Sequence, residues 1–389
     1  MLDFIHESPV KIIFGENNLP AVVDETRRYG KRVLLVLGGE SFRKNGYYET
    51  LTIALKNAYM EIFEMSGIRT PVLSKVREGI ALCREKEIDV ILGIGGGTCM
   101  DVAKAIAFGV PRKEDVWGYF TGEFQGKGLS HLPVGTIVTF PSSGSELDPD
   151  AQITNDETGE PLGLDCISPD FAWLNPSFMM SVDTENLVKG QITAFVQLSL
   201  GYLGVERSEV PERVSMALIK SILSNLQKSV EEPLSQEPRA NLMLATALTV
   251  SGIPTFGKDG EWVIYPLQAV MQSVCHVPYT ISLAVLFPYW LEGVYDGQEI
   301  FKDYFANVFE LVIAGKTDEQ ILHDGIEKIF ELYRSFGYPV NFKECSKHIE
   351  EEKLKEMIEM IGPLPSIFTE LTTEKVETMM IHSIKGIYA

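Results

Sequence analysis

A short apolar strand that runs into three glycines and restarts as a helix constrains this chain more than any other stretch. Residues 89–94 read Asp-Val-Ile-Leu-Gly-Ile, and Gly95-Gly96-Gly97-Thr98 follows. An alanine-rich segment with helical spacing then runs from Met100 to Phe108. Glycine lets the backbone approach an anion with no side chain in the way. The first N–H groups of the helix then face that anion. The unit predicts a phosphate site. A tight strand-to-helix turn with no ligand is the alternative that a lone triple glycine leaves open.

The neighbouring pattern extends this reading. Lys11–Phe14, Arg32–Leu37, Glu61–Met65 and Val134–Val138 are short apolar runs that read as strands, and Tyr47–Tyr59 and Pro71–Lys86 have helical spacing. Such alternation predicts a parallel sheet with helices on both faces. Ligands of such sheets sit at the carboxyl ends of the strands. Three turns fall at such ends: Gly38-Gly39-Glu40-Ser41, Gly95 to Thr98, and Thr139-Phe140-Pro141-Ser142-Ser143-Gly144-Ser145. The character changes near Asn175-Pro176. From Glu185 onward the chain reads as successive amphipathic helices, among them 188–203, 211–229, 240–250 and 318–336. This predicts an α/β domain over 1–183 and an all-helical domain over 184–389.

At 389 residues, two or three domains are expected. The 34 basic and 54 acidic residues give a net charge of −20, which argues against a nucleic-acid or anionic-membrane partner. An anionic cofactor must then be held by local geometry. No apolar run reaches spanning length, and the opening Met1 to Pro9 lacks the basic and apolar regions of a signal peptide. Cys83, Cys99, Cys166, Cys275 and Cys345 are scattered with no Cys-x-x-Cys pair, and they read as reduced thiols of a cytoplasmic protein.

The order of these pieces is also familiar. Phe4 to Gly15 reads as an opening strand pair, Leu37 to Gly46 as a first cofactor turn, and Gly95 to Lys104 as a glycine signature. The loop Leu132 to Glu146 follows, and then Trp262 to Pro288. Together they resemble the iron-containing, or group III, alcohol dehydrogenases, and within them the butanol dehydrogenase branch, which reduces aldehydes with NADH or NADPH. The resemblance covers nearly the whole chain. It implies a Rossmann-like dinucleotide-binding domain facing an all-helical domain (the dehydroquinate synthase-like fold), with cofactor, metal and alcohol in the cleft, and a homodimer. It assigns Gly38, Gly39, Glu40, Ser41, Gly95, Gly96, Gly97, Thr98, Asp101, Thr139 and Ser143 to NAD or NADP. Thr139 also reads as an ordinary strand-end hydroxyl, and Asp101 as an acid favoured by the helix dipole.

The family holds Fe²⁺ or Zn²⁺ with one Asp and three His. Carried over residue by residue, the Asp falls on Thr193, the first His on Gln197, the second on Tyr265 and the third on Tyr279. The spacing survives, four between the first pair and fourteen between the second. None of the replacements is an acid, an imidazole or a thiol, the donors a divalent cation needs. Other family positions fall on Ala269, Pro161 and Asn175. His276 lies three before Tyr279 and reads as a loop histidine, while His6, His131, His323, His348 and His382 show no ligand spacing. Iron and zinc are therefore expected to be absent.

Two functions remain open. In one, the chain is a metal-free alcohol dehydrogenase or aldehyde reductase of altered or reduced activity, acting on a small alcohol or aldehyde. Tyr265 or Tyr279 then donates a hydrogen bond or a proton to the carbonyl oxygen. Alternatively, both rings simply fill the vacated cavity. In the second, the chain is a catalytically inactive nucleotide-binding, regulatory or oligomer-partner protein. Glu40 stands where NADPH-using relatives often place glycine, and its carboxylate should repel a 2′-phosphate, which favours NAD. Arg43 and Lys44 follow and offset it.

Overall fold

A computed structural model describes residues 1–386 apart from Lys127, Cys166, 346–348 and Glu350, so Cys166 and His348 lie outside the described residues. The first half runs β1 (Lys11–Phe14), α1 (Leu19–Tyr29), β2 (Arg32–Leu37), α2 (Ser41–Lys44), α3 (Tyr47–Asn57) and β3 (Glu61–Met65). It continues with α4 (Leu73–Lys86), β4 (Val90–Gly95), α5 (Gly97–Gly109), α6 (Trp117–Phe120) and β5 (Val134–Val138). Then come β6 (Asp150–Thr154), β7 (Pro161–Asp165), β8 (Phe171–Leu174) and α7 (Pro176–Met179). Six strands form one sheet in the order β1-β8-β5-β4-β2-β3, and every pairing in it is parallel.

Both faces of this sheet are covered, which is why β2 reads Arg-Val-Leu-Leu-Val-Leu with no polar alternation. Val33, Leu35 and Leu37 face Val22 and Val23 of α1 and Leu51 and Leu55 of α3. Leu34 and Val36 point the other way, into Val76 and Ile80 of α4 and Val102 and Ile106 of α5. Strand β4 starts one residue later than the apolar run predicts. Asp89 meets the start of β2 through both backbone and side chain: its N–H donates to Arg32 O at 2.9 Å, and its Oδ2 accepts from the backbone N–H groups of Lys31 and Arg32, both at 2.8 Å. The antiparallel β6–β7 hairpin and β8 add to the strands read from the sequence.

The second half runs α8 (Thr184–Tyr202), α9 (Glu209–Glu231), α10 (Gln236–Ala247), α11 (Ile264–Cys275) and α12 (Tyr279–Val294). It ends with α13 (Glu299–Phe309), α14 (Asp318–Ser335), α15 (Glu351–Ile361) and α16 (Thr373–Lys385). Among the described residues, no helix is long and apolar enough to cross a membrane. Helix α12 is buried from Ile281 to Leu291 and carries Pro288 in its interior. Proline has no N–H for the carbonyl four residues back. That carbonyl belongs to Ala284, and the Tyr333 hydroxyl of α14 donates to it at 3.0 Å. The defect is thereby satisfied by side-chain packing.

The chain divides into two compact units. One comprises Glu7–Leu187 with Asn225–Ser251, and the other comprises Met1–His6, Val188–Ser224 and the chain from Gly252 onward. This division differs from a single cut at 183/184 in grouping 184–187 and 225–251 with the sheet-bearing unit and 1–6 with the helical one. The cause is specific docking. Arg239 of α10, 2% exposed, donates through Nη1 to the carbonyls of Met179 and Val182, the latter at 2.8 Å. Gln236 Nε2 donates to Ser177 Oγ at 3.1 Å. At the other end, Leu2 N–H donates to Gly257 O at 2.7 Å and the Phe4 ring stacks on Phe256 at 4.9 Å. Amphipathic spacing shows that a helix buries one face, but not against which layer.

Candidate functional site

The α/β unit brings the three predicted turns to one edge. Strand β4 lies between β2 and β5, with Leu37 beside Ile94 and Gly95 beside Val138. The Gly38, Gly95 and Thr139 turns therefore leave neighbouring strands at their carboxyl ends. The Thr139 N–H donates to Gly95 O at 2.9 Å and joins two of them. The chain leaves β2 toward β3 on one side and β4 toward β5 on the other. Such a reversal opens a crevice between the two strand ends, where ligands of doubly wound sheets bind.

The crevice floor requires its glycines. Gly95 has φ of +153°, and a Cβ on either Gly38 or Gly95 would lie 2.8 Å from the Cys99 Sγ. A Cβ on Gly97 would lie 2.6 Å from Ser143 Oγ, so this hydroxyl rests against the start of α5. Gly39 has open space where a side chain would be. Helix α5 begins on Gly96 with no side-chain cap and no acid in its first turn, which holds Gly97 and Thr98. Uncapped first-turn N–H groups and the positive end of the dipole suit a phosphate. These residues fit a dinucleotide's phosphates.

Asp101 is placed differently from the rest. Its Oδ1 accepts from Ser145 Oγ at 2.6 Å, and its Oδ2 accepts from Gln152 N at 3.3 Å. Both oxygens thus serve to hold the 139–152 segment onto α5. Lys104 is the partner that sequence reasoning left without a role. It is fully buried, pairs with Asp101 at 3.3 Å, and donates to the carbonyls of Ser145 at 3.2 Å, Asp148 at 3.0 Å and Asp150. The available signal was its position three residues after Asp101, on the same helical face. Glu40 and Ser41 are exposed at the start of α2. Cys99 is 2% exposed, and burial pushes its thiol up to about 12, which leaves it an inert packing group.

The helical unit holds Thr193, Gln197, Tyr265 and Tyr279. Thr193 and Gln197 lie one turn apart on α8, Tyr265 is the second residue of α11 and Tyr279 opens α12. Thr193 Oγ1 donates to Lys189 O at 2.8 Å and Thr280 O at 3.2 Å. Gln197 Nε2 donates to Tyr279 Oη at 3.3 Å. The structure thus brings Thr193, Gln197 and Tyr279 together, as direct hydrogen bonds between α8 and α12. Tyr265 packs its ring 5.9 Å from Trp262. His276 is exposed in a left-handed conformation (φ 52°) at the end of α11, the loop position expected of it.

Neutral hydroxyl, amide and phenol oxygens, joined in part to one another, do not fit Fe²⁺ or Zn²⁺. Among the described residues there is no group of three or more His, Cys, Asp or Glu able to hold a metal ion. The bonds at Thr193 do structural work that removal will expose. Thr193→Val keeps the shape and deletes the donor, with an expected loss of about 1 kcal/mol, read as a lower denaturation midpoint at unchanged m. Thr280 O retains the Tyr338 hydroxyl as a donor, which limits the loss.

Comparison with known proteins fits this geometry. The family model described as iron-containing alcohol dehydrogenase matches residues 9–176, and the C-terminal model of the Fe-containing alcohol dehydrogenase family matches residues 188–382. A probable NADH-dependent butanol dehydrogenase 2 of Bacillus subtilis is 34% identical over 360 residues, covering 91% of each chain. NADH-dependent butanol dehydrogenase A of Clostridium acetobutylicum is 31% identical over 363 residues, covering 92% of each. The crystal structure of NADH-dependent butanol dehydrogenase A from Thermotoga maritima superposes with a TM-score of 0.92 at 27% identity, over 99% of both chains. With both halves matched and the Rossmann-like sheet and helical bundle in place, this chain belongs to the iron-containing alcohol dehydrogenase family, among its butanol dehydrogenase-like members.

Proposed function

We propose that this protein binds a nicotinamide dinucleotide, NAD in preference to NADP, and interconverts a small alcohol and aldehyde slowly and without a metal. Two observations support the reading. Three turns of glycine and small hydroxyl residues meet at one edge of the sheet, and the residues that the family resemblance aligns with its metal ligands are neutral, with Gln197 bonded to Tyr279. A nicotinamide dinucleotide, when bound, would supply or accept the hydride. The chain's own part is to hold the phosphates at Gly95 to Thr98 and Ser143, and to meet the substrate oxygen with a protic group.

Tyr279 and Tyr265 are the groups for that second task. A phenol donates a hydrogen bond and has an ordinary pKa near ~10, so it offers far less positive charge than a divalent cation. Loss of one good oxyanion donor typically costs about a hundred- to a thousandfold in rate, and a deficit of at least that size is expected against metal-bearing relatives. Glu40, exposed beside Gly39, disfavours a 2′-phosphate and supports NAD.

Oxidation of NADH by short aldehydes, followed with and without chelator, tests the reading. Slow turnover indifferent to chelator is expected, together with measurable NADH binding. Binding without turnover for any aldehyde would instead establish the inactive, nucleotide-binding alternative. Chelator-sensitive turnover would overturn the metal-free assignment.

A further inference from the structure

The turn at Gly38 to Ser41 is followed within one helical turn by Arg43, a residue type suited to binding phosphate through two parallel hydrogen bonds. In this structure its guanidinium is engaged on three sides. It pairs with Glu64, donates to Ser66 Oγ at 3.3 Å, and lies 3.7 Å over the ring of Tyr48. Glu64 is in turn fixed from both sides. Its Oε2 accepts from Tyr48 Oη at 2.6 Å, and its Oε1 accepts from Ser66 Oγ. Partial burial raises the Glu64 carboxyl, but hydrogen bonds from Ser66, Tyr48 and Arg43 outweigh it and hold it below the usual carboxylate value. Glu64 sits beside Leu35 near the end of β3, the strand next to β2, so its carboxylate stands at the same sheet edge as the Gly38 turn.

We infer that Glu64 sets cofactor choice by holding Arg43 away from the place where a 2′-phosphate would lie beside the Gly38–Ser41 turn. This rests on the nucleotide reading of that turn. Glu40 repels the extra phosphate and Glu64 neutralises the arginine that could receive it. The cation needed for NADP is present but tied down, and one substitution releases it. Tyr48 stays as a stacking surface, so the released guanidinium remains near the turn.

The test is the ratio of the NADPH and NADH dissociation constants, measured by fluorescence titration. Glu64→Gln removes the charge and keeps one acceptor oxygen, while its amide N–H₂ can donate to the second of the Tyr48 and Ser66 hydroxyls. It should shift the ratio about tenfold toward NADPH, the range of one added charge-assisted phosphate contact, and high salt should shrink the shift. The double variant Arg43→Gln/Glu64→Gln should lose the gain. An unchanged ratio in Glu64→Gln, or a gain that persists in the double variant, overturns the inference. Wild-type protein that binds neither nucleotide overturns the reading of the turn itself.

Discussion

Lys104→Met is expected to lower folding stability by about 3–5 kcal/mol, the usual cost of breaking a buried charged pair from one side. Methionine keeps most of the unbranched lysine stem and donates nothing. It would leave the carbonyls of Ser145, Asp148 and Asp150 and the carboxylate of Asp101 buried without their common donor. The loss also has a pH signature. Burial lifts the Glu146 and Asp148 carboxyls to about 7, and the Lys104 charge pulls both down. Raised carboxyls bind more protons folded than unfolded, so their contribution to stability falls as pH rises through the folded value. Without Lys104 those values rise further, and the gap between variant and parent should widen above pH 7. Urea midpoints at pH 6 and pH 8 measure both effects. A loss under about 1 kcal/mol at both pH values would show that water reaches these carbonyls and that the clamp is dispensable. Because the clamped segment carries Ser143, NADH affinity should fall with stability.

The other large effect is a gain. Thr193→Asp, Gln197→His, Tyr265→His and Tyr279→His together should yield a protein that retains one equivalent of Fe²⁺ or Zn²⁺ through dialysis, where the parent retains none. The i, i+4 spacing on α8 places the first two on one face, and the 3.3 Å contact of Gln197 with Tyr279 shows that side chains from α8 and α12 already meet. An aspartate and three imidazoles are a donor set that binds zinc at micromolar or tighter levels. Aldehyde reduction should rise and become chelator-sensitive. A folded quadruple variant that binds no metal would place the defect in the helix positions instead of the side chains. Tightly bound stoichiometric metal in the parent would refute the premise outright.

The central strands β2, β4 and β5 were legible as unbroken apolar runs buried almost throughout, whereas β8, equally buried but only four residues long, was not. The turns were legible as well, since each combines glycine or a small hydroxyl with a strand end. The β6–β7 hairpin was not, because Asp150–Thr154 and Pro161–Asp165 mix polar and apolar residues without a clear period. Lys104 and Glu64 were missed for a common reason. Each acts through partners that only folding supplies, across 46 residues for Lys104 and Asp150 and 21 for Arg43 and Glu64. That Thr193, Gln197, Tyr265 and Tyr279 include no acid, imidazole or thiol was plain from the sequence. Their mutual bonding required coordinates.

The return of residues 225–251 to the sheet-bearing unit has a consequence for how such a chain can be cut or recombined. The polypeptide passes between its two units at 6/7, 187/188, 224/225 and 251/252. A fragment ending near 183 would lack Arg239 and leave the carbonyls of Met179 and Val182 bare in its core. The halves are not separable cassettes. A chimera that exchanges the helical half with a relative must carry 225–251 along with the first half, grafting a discontinuous module in place of a terminal one.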